Sequence, residues 1–359
     1  MRIGILTHVK HPVREPFAGG LEAFTYDMTL ALKKRGHDVT LFASSGSAAE
    51  LGHIAILDDE NYGETGTRGI KEAFFEEYRD EHVAYMNCMQ RLDDHRFDVV
   101  FNNSLHYVPV MMAPLIGTPM LTVLHTPPFF ELSNAIAALR RTTKIRFATV
   151  SKSNARSWAR WVPECDIIAN GIDLSTWAPV AQPSRRHALW YGRLVPEKGA
   201  HLAMDAAQRA GLSIEIVGQA SDETYFKNEI APRLNEHAVY LGHLERSSLV
   251  SRVQHASVCL VTPCWDEPFG LVVAESLACG TPVAAFARGA IPDLLTAATG
   301  VTAPPGDVDA LAQAAVRARE LSRAECRHAA QAWWSQDLML TRYERLLQEV
   351  ATRRLPADA

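Results

Sequence analysis

Two α/β domains, each built on a parallel sheet, are what this sequence predicts, and three observations predict them. The chain has 359 residues with 47% hydrophobic content, enough to bury two ordinary cores. Strand-like runs of roughly four to eight residues alternate with helix-length segments, the pattern of parallel sheets covered by helices. The alternation then restarts after a turn-rich connection, Asn170-Gly171-Ile172-Asp173 followed by Trp177-Ala178-Pro179 and Gln182-Pro183-Ser184.

In chain order, the first half offers Arg2–Thr7, Asp38–Ala43, Val99–Asn102, Met120–His125 and Phe147–Val150 as strands. Gly19 and Gly20 follow the first strand by a loop and precede an amphipathic helix over Leu21–Lys34. The second half offers Ala188–Tyr191, Ser213–Val217, Val239–Leu241, Val258–Thr262 and Pro282–Ala285. The last segment, Leu338 to Arg354, has apolar residues at helical spacing. In open sheets of this kind ligands bind beyond the carboxyl ends of the strands.

Composition excludes several function classes. A formal charge of −5 gives no electrostatic footprint for nucleic acid. The six cysteines lack metal-type spacing and read as reduced core residues of a cytoplasmic protein. Met1 to His8 is too short and too soon interrupted for a signal segment. The apolar region from Val99 to Phe130 is broken by Asn102, Asn103, His106, Pro109, Pro114 and Pro119, so it is no membrane span.

The richest stretch runs from Asp266-Glu267-Pro268-Phe269-Gly270 through Leu271-Val272-Val273-Ala274-Glu275 to Gly280-Thr281-Pro282. Pro268 and Gly270 mark a turn, and Leu271–Ala278 reads as a buried helix ended by Gly280. Free amides at Phe269, Gly270 and Leu271 at such a helix start favour an anion, by roughly 0.3–2 kcal/mol. Acids beside a phosphate seat repel the ligand unless they face its hydroxyls. If both acids were helical, Glu267 and Glu275 would stand about 12 Å apart along the axis and about 80° apart around it. That is too far for a retaining glycosidase pair, which needs about 5–5.5 Å. It fits a nucleotide sugar, with one Glu at the sugar, one at the ribose and the diphosphate between them.

This stretch resembles the Glu-(seven residues)-Glu signature of glycosyltransferase family 4, group 1, the retaining, metal-independent GT-B enzymes. Segments agreeing in order are Gly19-Gly20-Leu21-Glu22, His125-Thr126-Pro127, Asn170-Gly171-Ile172-Asp173, Gly192-Arg193-Leu194 with Lys198-Gly199, and Pro305-Gly306-Asp307. The resemblance implies a GT-B fold, two Rossmann-like domains facing a central cleft: an acceptor-side domain over 1–169, a nucleotide-sugar domain over 170–337, and a terminal helix over 338–355 crossing back. It implies transfer of a hexose from a UDP-sugar, a substrate rather than a cofactor, to an acceptor the sequence does not identify. The opening glycines and Leu41-Phe42-Ala43-Ser44 look most like members that transfer glucose, pterin glucosyltransferases included. Phe17-Ala18-Gly19-Gly20-Leu21-Glu22 departs from their commoner Tyr-Gly-Gly-Thr-Glu opening.

The candidate residues follow. Arg193 and Lys198 lie beyond the strand Ala188–Tyr191, where a guanidinium and an ammonium suit a diphosphate and the charge left on it when no metal is present. A surface Arg and a helix-start Lys would explain the same letters, and the resemblance favours the clamp. Glu267, His125, Arg193 and Lys198 are the expected catalytic set. Gly19, Gly20, Phe269, Gly270, Leu271 and Glu275 join Arg193 and Lys198 at the donor. Two glycines let backbone N–H groups approach a phosphate, although Gly-Gly alone is usually only a turn. His125 ends a strand, and the resemblance gives it a hydrogen bond to the transferred sugar. His8 is a weaker candidate, and His106 and Asn103 are expected to face the acceptor.

Two further patterns have simpler explanations. Asp307-Val308-Asp309 has the letters of a metal motif, but a helix start explains both acids, and no metal site is expected. Arg156, Trp158, Arg160 and Trp161, with Arg140, Arg141, Lys144 and Arg146 upstream, leave peripheral membrane contact open; a helix with inward tryptophans and outward arginines is the more economical reading. Two rival functions lack support in the residues. A nicotinamide oxidoreductase would need Gly-any-Gly-any-any-Gly after the first strand of either half, which is missing. A silent nucleotide-sugar-binding subunit conflicts with intact Glu267, Glu275, Arg193 and Lys198.

Overall fold

The computed structural model describes residues 1–59, 70–139, 145–184 and 187–352, and the side chains of all of these but 70–77. The chain divides into two compact units, Met1–Ile168 with the chain from Leu340 onward, and Ala169–Met339. The terminal helix spans Gln336–Thr352, so it starts two residues before the expected 338, and the expected residues 353–355 lie outside the description.

Among the described residues the first unit carries seven strands: β1 Arg2–Thr7, β2 Asp38–Ser44, β3 Ile54–Leu57, β4 Val99–Asn103, β5 Met120–Leu124, β6 Ile145–Thr149 and β7 Asp166–Ile167. Their order across the sheet is β3-β2-β1-β4-β5-β6-β7, and each neighbouring pair is parallel. The central strands β4 and β5 are buried at every residue, as strands with helices on both faces must be. Order reverses direction between β1 and β4, and the loops after those strands open at that point.

The terminal helix completes this unit's core. Tyr343 is fully buried, with its ring 6.1 Å from Phe24 and 5.2 Å from Phe101. The next residue, Glu344, pairs with Arg35 and with His37.

The second unit carries β8 Ala188–Tyr191, β9 Ile214–Val217, β10 Ala238–Tyr240, β11 Val258–Val261, β12 Val283–Phe286 and β13 Gly300–Ala303. The order is β10-β9-β8-β11-β12-β13, again parallel throughout. The chain builds outward from β8 in one direction and from β11 in the other. The carboxyl ends of β8 and β11 therefore border the crevice where such sheets hold ligands.

The secondary patterns resolve simply. Asp307 caps the helix Val308–Ala318 by accepting from the Ala310 amide at 2.9 Å, and Asp309 pairs with Arg209. Trp158 is buried, with its indole N–H donating to Thr126 O at 2.7 Å, while Arg156 and Arg160 are exposed. Arg146 pairs bidentately with Asp166, and Arg140, Arg141 and Lys144 lie outside the described residues. All six cysteines are free. No helix among the described residues is long and apolar enough to cross a membrane.

Candidate active site

In the second unit the crevice is built by three loops. After β8, Leu194 donates to Gln219 O at 2.8 Å, which fixes the strand exit and leaves Arg193 exposed beside it. The Arg193 guanidinium has no hydrogen-bond or ion-pair partner among the described residues. Lys198 follows in a short helical turn, Pro196–Lys198. Thr262, at the end of β11, accepts from the Trp190 indole at 3.1 Å and donates to the carbonyls of Lys198 and Gly199. The Lys198 backbone is thereby tied to the neighbouring strand.

The loop after β11 supplies Glu267. Its Oε2 accepts from Lys198 Nζ at 2.6 Å and from the Trp265 indole N–H at 3.0 Å. Lys198 Nζ also lies 4.9 Å from the centre of the Trp265 ring, within reach of a cation–π attraction. The loop after β12 supports this segment from behind. Gly289 stands at φ +60°, and a Cβ there would fall 2.3 Å from both N and O of Glu267, so only glycine lets the two backbones meet. Ala290 donates to Glu267 O at 2.8 Å.

Glu267 is not helical. The helix spans Leu271–Ala278 after Gly270 at φ +96°, which corrects the premise that both acids share one helix axis. Their separation is set by the Pro268-Phe269-Gly270 turn as well as by the helix. The amides of Phe269, Gly270 and Leu271 donate no hydrogen bond among the described residues, as a helix start requires. Glu275 Oε2 lies 3.0 Å from Tyr191 Oη, which also approaches Val272 O at 3.0 Å. Burial drives the Tyr191 hydroxyl well above its usual range, with the Glu275 charge adding to the effect, so Tyr191 is a neutral donor. At the far end of the helix, Arg327 donates to Ala278 O and Arg323 to Cys279 O, supplying partners to carbonyls that the helix leaves open.

In the first unit, Asn103, the last residue of β4, and His125, the first after β5, come together. His125 Nε2 and Asn103 Oδ1 are 2.8 Å apart, and the His125 ring packs edge-on to Phe24 with centres 4.9 Å apart. Desolvation lowers the His125 pKa to about 3, so the ring is neutral near pH 7. With Nε2–H donating to the amide oxygen, Nδ1 is left as an acceptor. Gly20 opens the first helix and Gly19 stands before it in extended backbone. A Cβ on Gly19 would lie 3.1 Å from Glu22 Oε2, and the buried Glu22 carboxylate sits 3.9 Å from His8.

His106 is not placed to face an acceptor. It is 8% exposed, its ring stacks on Tyr85 and Tyr107, and Nδ1 accepts from the Val108 amide at 3.2 Å as a helix cap. The cap and the stacking both draw the ring inward. Asn103 is 1% exposed, so it too is turned away from solvent, and its side chain serves His125. Sequence reasoning missed Trp265, Tyr191, Arg323 and Arg327. Trp265 lies inside the signature and Tyr191 directly before Gly192-Arg193, so proximity to a motif was the available signal for both. Nothing in the spacing marks the two arginines.

Comparison with known proteins places the chain in a family. Residues 18–176 match the family described as Glycosyltransferase Family 4, and residues 177–333 match Glycosyl transferases group 1. The chain belongs to the group 1 glycosyltransferases of family 4. Glycogen synthase from Mycobacterium tuberculosis strain H37Rv is 34% identical over 164 residues, 43% of this chain and 39% of that one. D-inositol 3-phosphate glycosyltransferase from Mycobacterium avium strain 104 is 31% identical over 217 residues, covering 53% and 51%. The chain thus spans about half or less of the length of the curated relatives it matches. Among solved structures, sucrose-phosphate synthase from Thermosynechococcus elongatus has a TM-score of 0.76 at 19% identity, with 98% of this chain and 99% of that one covered. Anabaena HepE in complex with UDP-glucose has a TM-score of 0.76 at 16% identity, covering 97% and 100%. At these identities the likeness is one of fold, and the fold is that of the two-domain GT-B glycosyltransferases.

Proposed function

We propose that this cytoplasmic enzyme transfers a hexose, with glucose the first candidate, from a UDP-sugar to a small-molecule, glycan or lipid acceptor with retention at the anomeric carbon. The observation that carries the reading is the second unit's cluster: an Arg193 without a side-chain partner among the described residues and the Lys198–Glu267 pair at the crevice between β8 and β11, where the Leu271 helix also begins. Arg193 and Lys198 neutralise the charge left on the diphosphate as the sugar departs. The free amides of Phe269, Gly270 and Leu271 bind the same group. Glu275, oriented by Tyr191, holds the ribose, and Glu267 holds sugar hydroxyls. The family resemblance gives His125, neutral and with Nδ1 as acceptor, a hydrogen bond to the transferred sugar. The leaving β-phosphate helps take the acceptor's proton, and attack comes on the face from which UDP departs. HepE, solved with UDP-glucose, supports a UDP-sugar as donor.

Products formed from UDP-glucose, UDP-galactose and UDP-N-acetylglucosamine with a cell extract, separated by mass spectrometry, test the donor. An NMR coupling constant showing a β-linked product would reject retention. Activity is expected to survive a chelator, since two cations and a helix start already supply the positive field. Complete loss restored by magnesium or manganese would overturn that.

A further inference from the structure

The Glu267 carboxylate is held asymmetrically. Oε2 takes both donors, Lys198 Nζ at 2.6 Å and Trp265 Nε1 at 3.0 Å, whereas Oε1 has no hydrogen bond among the described residues. The two donors differ in kind. The ammonium stands on a flexible stem and follows the strongest anion nearby. The indole is rigid and is a donor only. Its ring lies half-buried beside Lys198.

A diphosphate carries more negative charge than one carboxylate and would draw Lys198 away from Glu267. Without a second donor, Glu267 would then lose its only fixed partner at the moment its geometry matters. We propose that Trp265 is a positioning residue that keeps Glu267 in place once the donor diphosphate has taken Lys198, so that Oε1 stays aimed at a hydroxyl of the transferred sugar. This deepens the donor reading above and rests on it. In the absence of donor, the same indole and carboxylate park Lys198, with the charged head over the ring and against Oε2. Trp265 thus couples two events: release of the lysine to phosphate and retention of the glutamate for sugar.

The test separates the sugar from the nucleotide. Trp265→Phe keeps a ring beside Lys198 but removes the N–H, and calorimetry is run with UDP and with UDP-glucose on both proteins. UDP makes no demand on Glu267, so its affinity is expected to stay within about two-fold and also to report that the variant is folded. UDP-glucose affinity is expected to fall about ten-fold, the scale of one hydrogen bond to a charged group. A 2-, 3- or 4-deoxyglucose donor that lacks the contacted hydroxyl should lose affinity on the wild type and show a smaller loss on the variant. Equal weakening of UDP and UDP-glucose, or no change in either, would overturn the positioning role while leaving the donor reading intact. A wild type that binds neither ligand would reject the donor reading, and the role of Trp265 with it.

Discussion

In the second unit Lys198, Glu267 and Arg193 place formal charge at the strand ends, whereas in the first unit the strand ends hold Asn103 and a His125 that burial keeps neutral. Both units are parallel sheets, but the second sets its charges after its first and fourth strands, and the first sets Asn103 and His125 at the ends of its fourth and fifth. The difference teaches that loop residues alone can give one sheet type a charged or a neutral set of strand ends. Cations beside an acid suit a ligand that arrives charged. A desolvated imidazole with one nitrogen committed suits a ligand that presents only hydroxyls.

The largest effect is expected at the cations. Replacing Arg193 and Lys198 together by Ala is expected to slow transfer by about 100-fold or more, since one lost preorganised charge-stabilising group typically costs about 2.7–4 kcal/mol. The Lys198 change also strips Glu267 of a donor, so the two effects need not add. A folded double variant with wild-type turnover would remove the second unit's claim to the leaving group.

A smaller effect sharpens the division within that unit. Glu275→Ala is expected to weaken UDP binding by about ten-fold, on the scale of a hydrogen bond to a charged group, and Glu267→Ala to spare UDP binding and damage turnover. The two carboxylates have different neighbours, Tyr191 for one and Lys198 with Trp265 for the other. Calorimetry with UDP decides, and equal losses would show that the carboxylates share one role.

How much of this was legible in the sequence follows from where the determinants sit. The central strands β1, β4, β5, β8 and β11 were readable because residues buried on both faces leave continuous apolar runs. The edge strand β3 is exposed or half-buried along Ile54–Leu57, β7 has only two residues, and β13 opens on Gly300. β7 and β13 make no such run, and the apolar run of β3 is only four residues long, too short to separate a strand from one turn of helix. The Leu271–Ala278 helix was readable from its Pro and Gly boundaries. The Lys198–Glu267 pair joins residues 69 apart in sequence, and Arg327 reaches Ala278 across 49. Such contacts are set by strand order, which spacing does not reveal. His106 was misread because a polar residue after a strand looks like a site residue until its stacking partners are known.

The smallest effect isolates the neutral half of the comparison. His125 has a folded pKa of about 3, against about 6.5 for the exposed side chain, because burial penalises the charged ring. Above pH 6.5 neither state binds the proton and the native state keeps its full stability. As pH falls from 6.5 toward 3, the unfolded chain takes up the proton and the folded one does not, so stability is lost across that window, by at most about 1.4 kcal/mol per pH unit for one such group. His106, held near 4 by burial and by His82, adds a loss of the same sign. His125→Gln keeps a donor for Asn103 but has no proton to gain. Urea midpoints measured at pH 7.5 and pH 5 should therefore fall further for the wild type than for His125→Gln. An equal fall would mean that His125 takes up its proton in the folded protein as readily as in the unfolded one, and the contrast between charged and neutral strand ends would fail at the residue on which it depends.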